Sequence, residues 1–223
     1  MSGRNVGLAP LQRRILETLG GIEPRWTLVG GGALVGFHLH HRTTRDLDLF
    51  WRGADGLDRL GHDCAQRLRA SGLEVSVVED HPSFVRLRVG DGASTTLVDL
   101  VADPSAAIDK PVQMKVGDAT IDVSTVHDLF VDKLCALLSR SEIRDLLDTQ
   151  SLLDSGADLD RALADAPRRD AGFSLLTLAW VLRGFGVERL GRVAGLSEAE
   201  IAALARFRDE FVGRLSARTK PGP

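Results

Sequence analysis

Trp26-Thr27-Leu28-Val29-Gly30-Gly31-Gly32-Ala33-Leu34-Val35-Gly36-Phe37, followed by Asp46-Leu47-Asp48-Leu49-Phe50, is the stretch on which the fold turns. Trp26 to Val29 is a short apolar run of strand formers. Three glycines break it, and Ala33 to Phe37 suits a helix, so the segment reads as strand, tight turn, helix. Glycine lets a backbone approach a ligand closely, and the first N–H groups of a helix offer a positive dipole end to an anion. A phosphate suits that position. The Asp46–Phe50 run alternates polar and apolar residues, the pattern of a half-buried strand. Residues two apart on a strand share a face, which brings the carboxylates of Asp46 and Asp48 out together, roughly 6–7 Å apart. One divalent cation can bridge such a pair, because Mg²⁺ takes a few carboxylate oxygens and completes its shell with water and substrate phosphates. Each half of this signal alone is commonplace; the order and the sixteen-residue step from Gly30 to Asp46 make the combination informative.

A third carboxylate lies in Thr95-Thr96-Leu97-Val98-Asp99-Leu100-Val101, which reads as a central strand with one charge inside it. Buried charges are costly unless paired or metal-bound. The plainer alternative places Asp99 at an exposed strand end, capping the Ala102-Asp103-Pro104 turn.

Further on the pattern turns helical. Ser124 or Thr125 suits an N-cap, and Leu129, Phe130, Leu134, Leu137 and Leu138 recur with helical spacing. Lys133 falls inside that apolar stripe and so needs a partner. If the helix continues through Ser141, Arg140 and Arg144 extend a basic stripe from the same side. Triphosphate or a strand carboxylate would satisfy it, charge-assisted bonds to phosphate being the stronger kind. The alternative is a snorkelling Lys133 with surface arginines and an ordinary Arg144–Asp148 pair.

The sequence resembles the nucleotidyltransferases of the DNA polymerase β superfamily, which carry a Gly-Gly or Gly-Ser turn, a helix, a strand Asp-x-Asp and a later strand carboxylate. Gly30-Gly31, Asp46, Asp48 and Asp99 match that order. It is more closely similar to the AbiEii/AbiGii toxin family, through Gly30-Gly31-Gly32-Ala33-Leu34, His41-Arg42-Thr43, Asp46-Leu47-Asp48-Leu49, Lys133-Leu134-Cys135-Ala136 and Arg144-Asp145-Leu146-Leu147-Asp148. The resemblance spans residues 26 to about 155. It implies an α/β (α+β) polymerase β-like lobe with a mixed sheet, followed by a C-terminal helical lobe, and a cleft holding a nucleoside triphosphate.

The implied reaction moves a nucleoside monophosphate to an acceptor, with RNA, tRNA being one candidate, as the acceptor and an antitoxin protein as partner. Asp46, Asp48 and Asp99 would hold Mg²⁺ or Mn²⁺ and, with Lys133, form the catalytic set, Asp99 assisting deprotonation of the acceptor hydroxyl. Gly30, Gly31, Gly32, Arg42, Thr43, Lys133 and Arg144 would contact the nucleotide, and Asp145 with Asp148 would order the cleft or assist the chemistry. Two departures stand out: Gly32 where relatives often carry Ser or Thr, which removes one phosphate contact, and a shorter C-terminal helical region. Three other functions use parts of the same pattern: a nucleotide-sugar glycosyltransferase, an enzyme adenylylating a small molecule such as an aminoglycoside, and a non-catalytic nucleotide- or partner-binding module.

The 223 residues, 43% of them hydrophobic, suffice for a real core. We expect an α/β domain over 1–122, a helical domain over 123–217 and a disordered tail over 218–223. Helices are expected over Pro10–Leu19, through Leu57, Leu60, Cys64 and Leu68, and from Ser197 to about Leu215. Strands are expected over Leu73–Val78, Phe84–Val89 and Leu97–Val101, with Gly156, Pro167 and Gly186 in loops. A net charge of −3 gives no global basic field, so RNA contact would come from local arginines such as Arg42, Arg45 and Arg52. Cys64 and Cys135 lack metal or redox spacing and read as structural thiols, which suits a reducing cytoplasm. The N-terminal residues do not read as a signal-peptide pattern, and no apolar run reads as long enough to cross a membrane, so a soluble protein is expected. His38, His40 and His41 lack the spacing to converge on a metal. Trp26, Trp51 and Trp180 read as core.

Overall fold

In the computed structural model, which describes residues 7–218, Thr27–Val29 forms a fully buried strand, β1. Gly30–Ala33 follows as the short helix α2, and the coil continues through Leu34–His38 in the wider π geometry. Asp46–Arg52 is β2, antiparallel to β1 with Val29 opposite Asp48. Leu47, Leu49 and Trp51 are buried while Asp46, Asp48, Phe50 and Arg52 are half-buried, so the period-two pattern survives intact.

Around this pair the sheet grows on both sides. Glu74–His81 (β3), Phe84–Gly90 (β4) and Thr95–Asp103 (β5) form an antiparallel meander, and β5 joins β2 in parallel. Val112–Val116 (β6) and Ala119–Val123 (β7) form a hairpin, whose β7 joins β1 in parallel. The result is a seven-stranded mixed sheet of order β3-β4-β5-β2-β1-β7-β6. The β6–β7 hairpin was not among the sequence expectations. Its signal is present: Val112, Met114 and Val116 alternate up to Gly117-Asp118, a two-residue turn of the hairpin type. Gly117 takes a φ of 55°, and the Asp118 N–H donates to Glu17 Oε1 at 2.9 Å.

Two helices, Pro10–Leu19 (α1) and Leu60–Ala70 (α3), cover one face of the sheet. Leu47, Leu49, Leu87, Val98 and Leu100 are fully buried there, each contributing roughly 1.5–3 kcal/mol. Gly61 of α3 lies so close to Val85 that a Cβ would stand 2.8 Å from Val85 Cγ2. By strand alternation, Asp46, Asp48, Asp99 and Arg86 all project from the other face.

The chain divides into two compact units between Leu129 and Phe130. That is later than the expected boundary after residue 122, because the first turn of Val126–Ser139 (α4) is tied to the sheet unit. Thr125 is the N-cap, its Oγ1 accepting from the Asp128 N–H at 3.1 Å. Asp128 in turn accepts the N–H groups of Ile108 and Asp109, both at 2.9 Å.

The second unit holds the rest of α4 and five further helices among the described residues: Ile143–Asp154 (α5), Leu159–Arg169 (α6), Leu175–Arg183 (α7), Val187–Val193 (α8) and Glu198–Arg218 (α9). Ser197 and Glu200 form the expected reciprocal cap of α9. Three expectations are corrected. Pro167 lies inside α6, which loses one N–H bond there yet continues to Arg169. Arg218 closes α9, and the expected tail beyond it, 219–223, lies outside the described residues. Trp26 and Trp51 are core residues whose indole N–H groups bond Leu19 O and Pro24 O, but Trp180 is 72% exposed. Both cysteines are buried, and burial pushes each thiol up to about 12, which leaves them protonated and unreactive at neutral pH. No described helix is long and apolar enough to cross a membrane.

Candidate active site

The register of the sheet unit lines up a row of charged side chains. Asp48 on β2 stands opposite Asp99 on β5, Asp99 opposite Arg86 on β4, and Glu79 of β3 beside Arg86. Neighbouring strands lie about 4.8 Å apart, so Asp46, Asp48 and Asp99 occupy one small area of a single face. Asp99 is in mid-strand, which excludes the turn-capping alternative.

The glycine turn closes over this row. Gly30 has a φ of 60°, which side chains rarely adopt, and a Cβ built on it would collide with the Asp48 carboxylate. Gly31 lies under Arg42: a Cβ there would meet Arg42 Nη2 at 3.1 Å and Thr44 Oγ1 at 3.0 Å. Gly32 behaves differently. Its Cβ direction points at Leu47 Cδ2 (3.2 Å) and Leu28 Cδ1 (3.3 Å), so a side chain at 32 would enter the apolar layer. A side chain at 32 would therefore start toward that layer and not toward the carboxylates.

Asp46 is oriented by Thr44, whose Oγ1 donates to Asp46 Oδ1 at 2.9 Å. Thr44 is itself buried, and its carbonyl accepts from Gln12 Nε2 at 3.2 Å. Thr43 is exposed, with its carbonyl receiving Arg42 Nη1 at 2.8 Å. Asp99 is held by a forked ion pair: Arg86 Nε and Nη2 each donate at 2.8 Å, one to each carboxylate oxygen, while Nη1 donates to Glu79 Oε1 at 2.9 Å. Among the described residues no three His, Cys, Asp or Glu side chains are placed together so as to hold a metal ion. The pair Asp46–Asp48 still fits a hard divalent cation by donor type, since Mg²⁺ needs only one or two carboxylates beside water and phosphate.

Arg52 is paired with Asp103 and stacked 4.9 Å above the Phe50 ring, which removes it from the expected basic patch. Arg45 and Arg88 are exposed, the latter on the same face of β4 as Arg86. His38 Nε2 meets Ser124 O and His40 Nδ1 meets Val35 O, both at 2.9 Å, so they do not converge. Burial lowers the His38 pKa and keeps the ring neutral. A cavity of about 620 Å³, lined by Leu57, His62, Val77, His81 and Val85, lies on the α3 side; Val85 alternates with Arg86, so it opens on the opposite sheet face.

In the helical unit, Lys133 Nζ contacts Asp145 Oδ1 and Asp148 Oδ2, both at 2.8 Å, and all three side chains are almost wholly buried. Arg140 adds bonds to Asp145 at 2.8 and 3.1 Å. Desolvation opposes the charge on Lys133, but Asp148 and Asp145 outweigh it and raise its pKa. Desolvation likewise opposes ionisation of Asp145, and Arg140 with Lys133 outweighs it and lowers the pKa. The expected basic stripe is corrected: α4 ends at Ser139, so Arg140 turns back onto Asp145, and Arg144 belongs to α5. The partners of Lys133 are helix carboxylates.

The family described as "Nucleotidyl transferase AbiEii toxin, Type IV TA system" matches residues 14–213. The chain belongs to this AbiEii family. It is a nucleotidyltransferase with a nucleoside triphosphate as substrate. MenT4, a nucleotidyltransferase toxin from Mycobacterium tuberculosis H37Rv, is similar in structure with a TM-score of 0.57, at 16% identity over 91% of this chain and 81% of that one. JHP933 from Helicobacter pylori aligns with a TM-score of 0.50, at 18% identity over 94% and 92%. At such identities the likeness is one of fold. No curated protein matches.

For this AbiEii-family enzyme, sequence reasoning found the glycine turn and the carboxylates but missed Thr44, Gln12 and Arg86. Thr44 had a local signal, since a hydroxyl two residues before a strand Asp can orient it. Arg86 had none short of the β4–β5 register, for Arg86 and Arg88 share one face of the strand.

Proposed function

We propose that the chain is a metal-dependent enzyme that transfers a nucleoside monophosphate from a nucleoside triphosphate to RNA, with tRNA the first acceptor to test, as the toxin of a cytoplasmic toxin–antitoxin pair. The observation that carries this reading is the packing of Gly30 against Asp48, which sets a glycine turn directly beside two carboxylates on one strand face. The backbone of Gly30 and Gly31 lies against the triphosphate, and Arg42 above Gly31 supplies a cation for it. Asp46 and Asp48 hold Mg²⁺ or Mn²⁺, Thr44 fixing the first of them. When bound, the cation offsets charge on the phosphates and the leaving group.

In the reaction an acceptor hydroxyl oxygen attacks the α-phosphorus, the bond to the β-phosphate oxygen breaks, and pyrophosphate leaves in line. The hydroxyl proton passes to water or to a carboxylate of the site. Exposed Arg45 and Arg88 favour a polyanionic acceptor over a small neutral one. Lys133, Asp145 and Asp148 act as one buried cluster whose loss unmatches a charge. An antitoxin is the partner expected from the family description.

The test is transfer of α-³²P label from each of the four nucleoside triphosphates to total RNA and to protein, with Mg²⁺, by wild type and by an Asp46→Ala/Asp48→Ala variant. RNA labelled by wild type alone supports the reading. Equal, negligible labelling by both sinks the RNA acceptor.

A further inference from the structure

Asp46 and Arg88 lie in one line across the sheet: Asp46 of β2 stands opposite Leu97 of β5, and Leu97 opposite Arg88 of β4. Two strand spacings, about 9–10 Å, separate the ends of that line. The neighbouring line runs Arg86, Asp99, Asp48, Val29 and ends at the glycine turn. The turn therefore flanks the carboxylates on the β1 side, and β4 lies on the other. On that other side the residues that alternate toward the carboxylate face, from Phe84 to Arg88 and from Thr95 to Val101, are all half-buried or exposed. At the outer end of the Asp46 line is a depression of about 220 Å³ lined by Ser76, Arg88, Gly90 and Thr95, with Glu74 opposite Gly90 at its rim. Arg86 is committed to Asp99 and Glu79, but the side chains of Arg88, Ser76 and Thr95 make no hydrogen bond or ion pair to any described residue. A guanidinium beside two hydroxyls, with no Cβ at Gly90 to fill the space, suits a phosphate group.

We propose that this depression holds a backbone phosphate of the acceptor RNA strand, with Arg88 as its main contact and the strand's terminal hydroxyl lying over Leu97 and Asp99. The inference rests on the nucleotidyl-transfer reading and adds to it the side from which the acceptor enters. In an in-line displacement the attacking and leaving oxygens stand on opposite sides of the phosphorus. With the pyrophosphate against Gly30 and Gly31, the attacking hydroxyl comes from the side of β5 and β4. Leu97, half-buried between Arg88 and Asp46, offers an apolar surface to the sugar that links the bound phosphate to the reacting hydroxyl. Glu74, one pair further out, disfavours a second phosphate beyond the first.

The experiment is transfer of α-³²P label to total RNA by the full chain with Mg²⁺, measured against RNA concentration, nucleoside triphosphate concentration and NaCl. Wild type is compared with Arg88→Gln, Arg88→Lys and Arg13→Gln. Arg13 is an exposed arginine of α1, the helix on the opposite face of the sheet, and controls for the loss of one positive charge. Arg88→Gln should raise the RNA concentration for half-maximal labelling roughly ten-fold, the scale of one hydrogen bond to a charged group, and leave that for the triphosphate within roughly two-fold. The slope of log apparent RNA affinity against log salt should become shallower by about 0.7, the value for one phosphate of a single strand. Arg88→Lys keeps the charge and should restore that slope with most of the affinity. A merely structural role for Arg88 would neither change the salt slope nor separate RNA from triphosphate. If Arg88→Gln behaves as Arg13→Gln does, or shifts both concentrations alike, the inference is overturned while transfer to RNA stands. If wild type labels protein alone, or nothing, the RNA reading itself fails and the inference falls with it.

Discussion

Gly30 and Asp48 are packed so tightly that the smallest side chain on the glycine would occupy the place of the carboxylate. This contact couples the turn after β1 to the Asp48 carboxylate on β2. Gly30→Ala therefore carries two penalties, a strained positive φ and a displaced Asp48. Gly92 is the natural comparison, with a φ of 84° and open space where its Cβ would be. Both alanine variants should lose stability by about 1 kcal/mol or more in urea titrations. Only Gly30→Ala should lose transfer activity per folded molecule. Comparable activity in the two variants would mean that the Asp48 position does not matter to the reaction.

Lys133 is enclosed by Asp145 and Asp148, and its removal leaves two buried carboxylates facing one another. Lys133→Met should lower stability by about 3–5 kcal/mol, the usual consequence of leaving a buried charge unmatched. The pH dependence has a definite sign. The folded-state pKa of Asp145 is lowered from 3.8, so its contribution is complete above that value and is lost as pH falls through the lower folded one. The raised pKa of Lys133 makes its contribution complete below 10.5 and lost only as pH rises through the higher folded value. Urea midpoints measured from pH 5 down to pH 2.5 should fall less steeply in Asp145→Asn than in wild type. Identical acid limbs would show that Asp145 is not held ionised by this cluster.

What the sequence discloses follows from how local each signal is. Asp46 and Asp48 are legible because a period-two strand fixes their shared face within five residues. The forked pair of Asp99 with Arg86 depends on how β4 and β5 register across the turn at Gly90–Ser94, which no local pattern specifies. Arg140 reads as helical because Ser139, Arg140, Ser141 and Glu142 include no glycine or proline, so the helical periodicity runs on past the true end of α4. Pro167 misled in the opposite direction, marking a loop where α6 still has two residues to go. Trp180 reads as core because α7, Leu175-Leu176-Thr177-Leu178-Ala179-Trp180-Val181-Leu182-Arg183, is apolar almost all round, yet only Leu178, Ala179 and Leu182 are buried.

The three tryptophans differ enough in burial to be told apart optically. Trp26 and Trp51 are 3% and 2% exposed, against 72% for Trp180. Acrylamide should quench one emission component readily and leave the others largely protected, and Trp180→Phe should abolish the accessible component. Trp180→Ala should change stability by within about 0.5 kcal/mol, whereas Trp26→Ala should cost about 3–5 kcal/mol. Retention of the accessible component in Trp180→Phe would place Trp180 inside the helical unit instead.

Thr44 offers the most direct test of how Asp46 is aimed. Its hydroxyl donates to Asp46 Oδ1, and its own position is fixed by burial and by Gln12 bonding its carbonyl. Thr44→Val keeps the shape and removes only the donor, so the fold should persist while Asp46 loses its orientation. Partners that orient metal-ligating carboxylates typically matter by 10–100-fold, and a loss of about ten-fold in transfer rate is expected, with a matching rise in the Mg²⁺ concentration needed. Thr44→Ser restores the hydroxyl and should recover most of the rate. If Thr44→Val and Thr44→Ser behave alike, the methyl group and not the hydrogen bond is what the site requires, and Asp46 is aimed by the strand alone.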